Sequence, residues 1–386
     1  MLQRRPRKAW ALTVTAALIV VAAVAATVPA TSPGGATETR AGGTVKPSFV
    51  AKVNADFVRQ TRRQTYTPPK TGPKAVAGKS IVVIPCAMAA EGCARPARAA
   101  MEAAKVIGWE ATLIDPAGDP SKMAAAVQKA ISLGADGIVL QSIDAHVIQG
   151  ALQQAKARGI KIVAFASGPS TSGRRVLNDI IPSLSSLVTD GYTIGQAAYK
   201  LGKGKARMVM MIDREYGILT LRRQGTERFI RDCQRAGGNC KILGEQNFLI
   251  TELATRVPGQ AVSLARNNPG FNVFWADYDA GLNFMIQGLR QAGITDGGKS
   301  FAVSFDANVA NLDLIRKNGY QRATVGLPMQ WAGYAQIDSL NRMFAGQRPV
   351  DSGLRTKLLV KSNVPRAGAW DGDLDVRPLY RRIWGK

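Results

Sequence analysis

The chain has 386 residues, enough for two cores of ordinary domain size, and its 51 Lys and Arg against 27 Asp and Glu give a formal net charge of +24. Such a surplus fits a nucleic-acid binder, but the basic residues are scattered and show no helix-turn-helix or zinc-finger spacing, so attraction to an anionic membrane or cell-wall surface is the expected consequence. One histidine and two loosely spaced cysteine pairs argue against a zinc site.

The chain opens with a basic stretch, Gln3 to Lys8, followed by an apolar, uncharged run from Trp10 to Val28 and small residues at Val28-Pro29-Ala30. Residues 1–30 therefore read as a signal peptide or, since the run is nearly long enough to span a bilayer, an uncleaved anchor. A periplasmic or extracellular location follows from either. Removing Arg4, Arg5, Arg7 and Lys8 still leaves +20. Residues 31–78 read as a linker, Gly/Thr/Ala-rich at first and proline-punctuated later, with one basic helix predicted from Phe49 to Arg63.

From residue 80 onward one pattern repeats: a short apolar run, a polar turn, then helical spacing. Ile81–Ile84, Ile138–Leu140, Ile160–Phe165, Met208–Ile212, Val273–Trp275 and Phe301–Val303 are the runs, each too short for a buried helix. Strands without polar alternation are buried on both faces, which predicts an α/β fold with doubly wound parallel sheets. Such sheets bind ligands beyond the carboxyl ends of their strands. Met123, Ala126, Val127, Ala130 and Ile131 share one helix face, as do Val147, Ile148, Ala151, Leu152 and Ala155. After Cys93, Arg95, Arg98, Glu102 and Lys105 form a charged stripe opposite alanines, and Pro96 is expected in that helix's first turn.

Cys86 and Cys93 are spaced as Cys233 and Cys240 are, which in an exported protein predicts two short-loop disulfides. No nucleophile with a base, metal cluster or phosphate loop is visible; His146 reads as surface or cap, and Gly202–Gly204 as a turn. An enzyme is not expected, and no cofactor or metal.

Taken in order, a set of motifs carries a family resemblance. Asp115, Asp119-Pro120, the run at 135–140, Asp144 and Gly159–Val163 come first; then Asp190 with Gly195, Arg222–Gly225, Asn272–Gly281, Ser304-Phe305-Asp306 and Ala323-Thr324-Val325. Residues 79–365 so resemble the periplasmic sugar-binding proteins of the ribose-binding type. The resemblance implies two lobes joined by a three-segment hinge, with a small molecule captured between them and delivered, by a monomer, to an ABC permease. The same fold also presents ligands to membrane sensors or chemoreceptors, which stays as the alternative. With crossings near Asp190, Leu327 and Asp351, lobe one holds 79–190 plus 327–351 and lobe two 191–326 plus 352–386.

At the site the sequence departs from that family. Pro85-Cys86 stands in place of an Asn, Ala166-Ser167 in place of an Asp-Arg pair, Tyr278 in place of an Asn, and Leu327 is nearest the expected Gln. Arg222 and Asp306 remain as matching polar anchors, with Arg223 the alternative under a one-residue shift. The expected ligand residues are Arg222, Asp306, Tyr278, Ser167, Asp277, Asn308 and an aromatic, Trp331 or Trp275. A less hydroxylated, possibly aromatic solute suits such a set better than ribose. Duller roles exist: Asp306 as a helix cap, Trp275 as core, Trp331 as packing between lobes. As cleft residues, Arg222 and Asp306 are expected to be replaceable without loss of the fold.

Overall fold

The computed structural model describes residues 44–168, 175–182 and 184–386, so the expected signal or anchor segment lies outside it. β1 (Ser80–Pro85), β2 (Glu110–Leu113), β3 (Gly137–Gln141), β4 (Lys161–Phe165) and β5 (Asp179–Ile181) form an all-parallel sheet in the order β2-β1-β3-β4-β5. β6 (Lys205–Ile212), β7 (Asn239–Asn247), β8 (Val273–Ala276), β9 (Phe301–Asp306), β10 (Gln321–Gly326) and β11 (Lys357–Val360) form a second, ordered β11-β10-β9-β8-β6-β7. Only β11 runs antiparallel to its neighbour. Every residue of β3 and β8 is buried, as their unbroken apolar runs require.

Helices cover both sheets. α2 (Glu91–Ile107) and α10 (Met329–Phe344) pack together on the first, and α3 (Pro120–Ser132) and α4 (Gln149–Ala157) form a second layer there. On the second sheet α5 (Leu184–Leu201) packs against α6 (Gly217–Arg235), and α7 (Val257–Asn267) against α8 (Asp279–Gln291). A short α9 (Val309–Arg316) lies against β10. α5 and α6 approach so closely that a Cβ on Gly191 would strike the carbonyl oxygen of Arg222, and this contact sets the height of Arg222 in the cleft. Pro96 departs from expectation, because α2 starts early at Glu91 and the proline falls in its second turn.

Three passages join the lobes: around Pro182, at Leu327-Pro328, and between Phe344 and Lys357. The first lies ahead of Asp190, which sits inside α5. Both chain ends add passages that the sequence reading did not contain. α1 (Pro47–Thr61) packs on α5 and β11 of the second lobe, after which the extended segment 62–79 runs to the first. There Tyr66 meets the Trp331 ring at 5.1 Å, and the Val76 amide donates to Asn341 Oδ1 at 2.9 Å. The later part of the expected linker is thus a packed strap.

At the other end Trp370 is buried with Ala307, Leu312 and Leu359 of the second lobe. α11 (Arg377–Trp384) then returns to the first lobe, packing on α10 and α2. This corrects the assignment of all of 352–386 to lobe two. The physical reason is aromatic: Trp384 stacks parallel on Tyr334 of α10 at 5.9 Å, and its indole N–H donates to Asp338 at 2.9 Å. Both disulfides form as expected, Cys86–Cys93 and Cys233–Cys240, with Cα separations of 5.8 and 6.0 Å. Among the described residues no helix is long and apolar enough to cross a membrane.

Candidate functional site

A cavity of about 60 Å³ lies between the lobes at the carboxyl ends of the strands. The first lobe contributes the Cys86–Cys93 disulfide, Ser142, Phe165 and Ala166; the second contributes Tyr216, Ile218, Leu219, Ile250 and Tyr278; Leu327 and Met329 come from the second passage. Its charged groups are Arg222 and Asp306. The lobes touch around it. The Gly217 amide donates to Asp144 Oδ2, and the Val309 amide to Glu91 Oε1 at 3.2 Å.

Arg222 extends from the second turn of α6 and is buried. Its Nη2 donates to Asp306 Oδ1 at 2.7 Å, its Nη1 to the Asp277 carbonyl at 2.8 Å, and its guanidinium lies 4.6 Å from the Phe305 ring centre. Nε has no partner. Asp306 ends β9 with φ of 106°, a left-handed backbone that turns its carboxylate back toward α6. Arg223 points the other way, to Glu227 and Glu245 at 2.8 Å each, so the register that selects Arg222 is the one that faces the cavity.

Tyr278 lines the cavity, and its hydroxyl donates to Asp213 Oδ2 at 3.0 Å. Burial pushes the Asp213 carboxyl up to about 7 and the Tyr278 hydroxyl well above its ordinary range. Asp277 sits behind Tyr278, accepting from the Asp213 amide, and burial raises its carboxyl too. Its Oδ1 is unpaired. Asn308 accepts from Arg95 at 3.1 Å and precedes α9, while its Nδ2 has no partner. Ser167 receives the Ala145 amide at 3.2 Å, and its neighbour Ala166 forms the cavity wall.

The two tryptophans take the duller roles. Trp275 is wholly buried in the second lobe's core, edge-on to Phe305 at 5.7 Å, and Trp331 is wholly buried beneath Tyr66. Sequence reasoning missed Tyr216, which lines the cavity, and Asp213, which holds the Tyr278 hydroxyl from behind; both follow β6 at its carboxyl end, where the rule for open α/β sheets directs attention. Of the apolar wall it placed Cys86, Ala166 and Leu327 at the site but left out Phe165, Ile218, Leu219, Ile250 and Met329, which look like ordinary core in one dimension.

Residues 81–348 match the periplasmic binding protein domain, and the chain belongs to that family of extracytoplasmic binding proteins, which are not enzymes. Solved structures with the same fold include a galactofuranose-binding protein, 18% identical, with a TM-score of 0.66 over 74% of this chain and 96% of that one. A solute-binding protein of an ABC transporter from Mycobacterium smegmatis, with bound glycerol, is 20% identical, with a TM-score of 0.65 over 76% and 99%. The 5-methylthioribose transporter solute-binding protein from Thermotoga lettingae, in complex with that sugar, is 17% identical, with a TM-score of 0.64 over 77% and 89%. Curated protein sequences yield no match.

Proposed function

We propose that the protein captures a small, sparsely hydroxylated solute between its lobes and delivers it to an ABC importer. The observation that carries this reading is the cavity wall, apolar on most sides, with one buried guanidinium whose Nε lacks a partner. A solute with several hydroxyls would leave many of them unpaired against such a wall, at about 1–3 kcal/mol each. One with a single acceptor for Arg222 and an apolar remainder loses little. Replacing a pentose's outer hydroxyl by hydrogen or a thioether moves a sugar one step toward this character, as in the ligand held by the Thermotoga lettingae protein.

Calorimetry with ribose, deoxypentoses, 5-methylthioribose and short polyols tests the proposal. The substituted sugars are expected to bind at least about tenfold more tightly than ribose, the equivalent of one unpaired hydroxyl. Micromolar ribose binding with no gain from removing a hydroxyl would overturn it.

A further inference from the structure

The last helix and the strap gather cations on the outer face of the first lobe. α11 buries Tyr380, Ile383 and Trp384 and leaves Arg377, Arg381 and Arg382 exposed. Lys386 Nζ lies 3.4 Å from the position of a Cβ on Gly108, which caps the helix carrying Lys105. The Lys74 stem lies 3.7 Å from that of Gly385, and Lys70 shares a shallow depression with Arg382. Asp375 pairs with Arg377, and Glu102 accepts from the Tyr334 hydroxyl; Glu110, exposed two residues beyond Gly108, is one further carboxylate near this cluster of cations. Lys70, Lys74, Lys105, Arg381, Arg382 and Lys386 are all exposed, and among the described residues none has an ion pair.

We propose that this face rests on an anionic lipid bilayer. Unpaired cations on long, mobile side chains suit a fluid sheet of negative charge, which demands no fixed donor geometry. Single-stranded nucleic acid would need aromatic platforms, whereas the exposed large hydrophobic residues are Val58, Leu133, Val147, Val309 and Val350. The aromatic rings of α11 are turned inward and unavailable for insertion, so binding is electrostatic and reversible. Both segments that build the face lie outside the matched family domain at 81–348. Held by its first lobe, the protein keeps the second free to hinge.

Flotation of the purified protein with phosphatidylcholine vesicles, with and without phosphatidylglycerol, tests this. Binding is expected only with the anionic lipid and is expected to fall as salt rises. Each cation contributes about fivefold to partitioning, so the triple variant Arg381→Glu, Arg382→Glu, Lys386→Glu should lose about a hundredfold or more. A control, Arg290→Glu, Lys299→Glu, Lys317→Glu, makes the same charge change on exposed residues of the second lobe and should keep most of the binding. Equal losses in the two variants would assign binding to net charge and overturn the proposal, as would wild-type partitioning by the first variant or equal binding to uncharged vesicles.

Discussion

Arg222 and Asp306, 84 positions apart in the chain, meet at 2.7 Å with side chains only 4% and 7% exposed. Each neutralises the other. Removing one partner leaves a buried charge uncompensated, which costs about 3–5 kcal/mol. Arg222→Ala and Asp306→Ala are therefore each expected to lower unfolding stability by that order, contrary to the expectation that cleft residues bear little of the fold. Removing both should cost less than the two single losses added together. Urea unfolding of the three variants measures this, and additive losses would show that the pair is not coupled.

A second relationship concerns closure. Arg95 of α2 reaches across the cleft: Nη1 donates to the carbonyls of Asp306 and Ala307 at 3.2 and 3.1 Å, and Nη2 to the Trp370 carbonyl at 2.8 Å. It also pairs with Asp371 at 2.6 Å. These bonds exist only while the lobes are together. Arg95→Ala should shift the population toward an open form and weaken solute binding by roughly ten- to a hundredfold, the equivalent of one or two charge-assisted hydrogen bonds. Small-angle scattering should show a larger radius for the variant. An unchanged radius and an unchanged affinity would remove Arg95 from the closing mechanism.

Burial pushes the carboxyls of Asp190, Asp213 and Asp279 up to about 7. The folded protein thus holds protons that the unfolded chain has released above about pH 4. Stability from these groups is complete below that pH and is lost as pH rises through about 7. Asp375 has the opposite sign: its hydrogen bond to Arg377 holds it below the usual range, so its contribution fades only in acid, outside this window. Between pH 5 and pH 8 the protein should lose on the order of a few kcal/mol. Asp190→Asn, which can still accept from Thr356, and Asp213→Asn, which can still accept from the Glu215 amide, should each flatten that slope. A wild-type stability that stays level or climbs over this range would show that these carboxyls are ionised in the folded state.

The parallel core was readable because burial on both faces leaves an unmistakable record: the runs at 81–84, 138–140 and 273–275 all lie within central strands. The edges were harder. β7, at Asn239–Asn247, is mostly half-exposed and polar, and β5 has three residues, so neither carries an apolar run. The strap and α11 were misread because their partners, Trp331 and Tyr334, are remote in sequence. At the site, the family resemblance singled out Arg222 and Asp306 as the polar anchors that still match. Composition did not reveal that they pair with each other, or that Trp275 belongs to the core, since both facts depend on side chains that the fold brings together from α6, β8 and β9.

The two disulfides close loops of equal length but occupy different places, which separates stability from function. By the chain-entropy estimate each contributes about 2.5 kcal/mol. Cys233–Cys240 joins the end of α6 to the start of β7, and Gln234 secures the same turn by donating to the Cys240 carbonyl at 2.9 Å. Cys86–Cys93 forms part of the cavity wall and ties the end of β1 to the first turn of α2, the helix that carries Arg95. Loosening it frees the start of that helix and with it the contacts that hold the lobes closed. The pair Cys233→Ala, Cys240→Ala should therefore lower stability and leave solute affinity within about twofold. Cys86→Ala, Cys93→Ala should lower stability by a similar amount and weaken binding by roughly tenfold or more, because ordering α2 then draws on binding energy. Melting curves and calorimetry on both double variants measure the two effects separately. Equal affinity in the two would show that the wall disulfide, like the peripheral one, serves the fold alone.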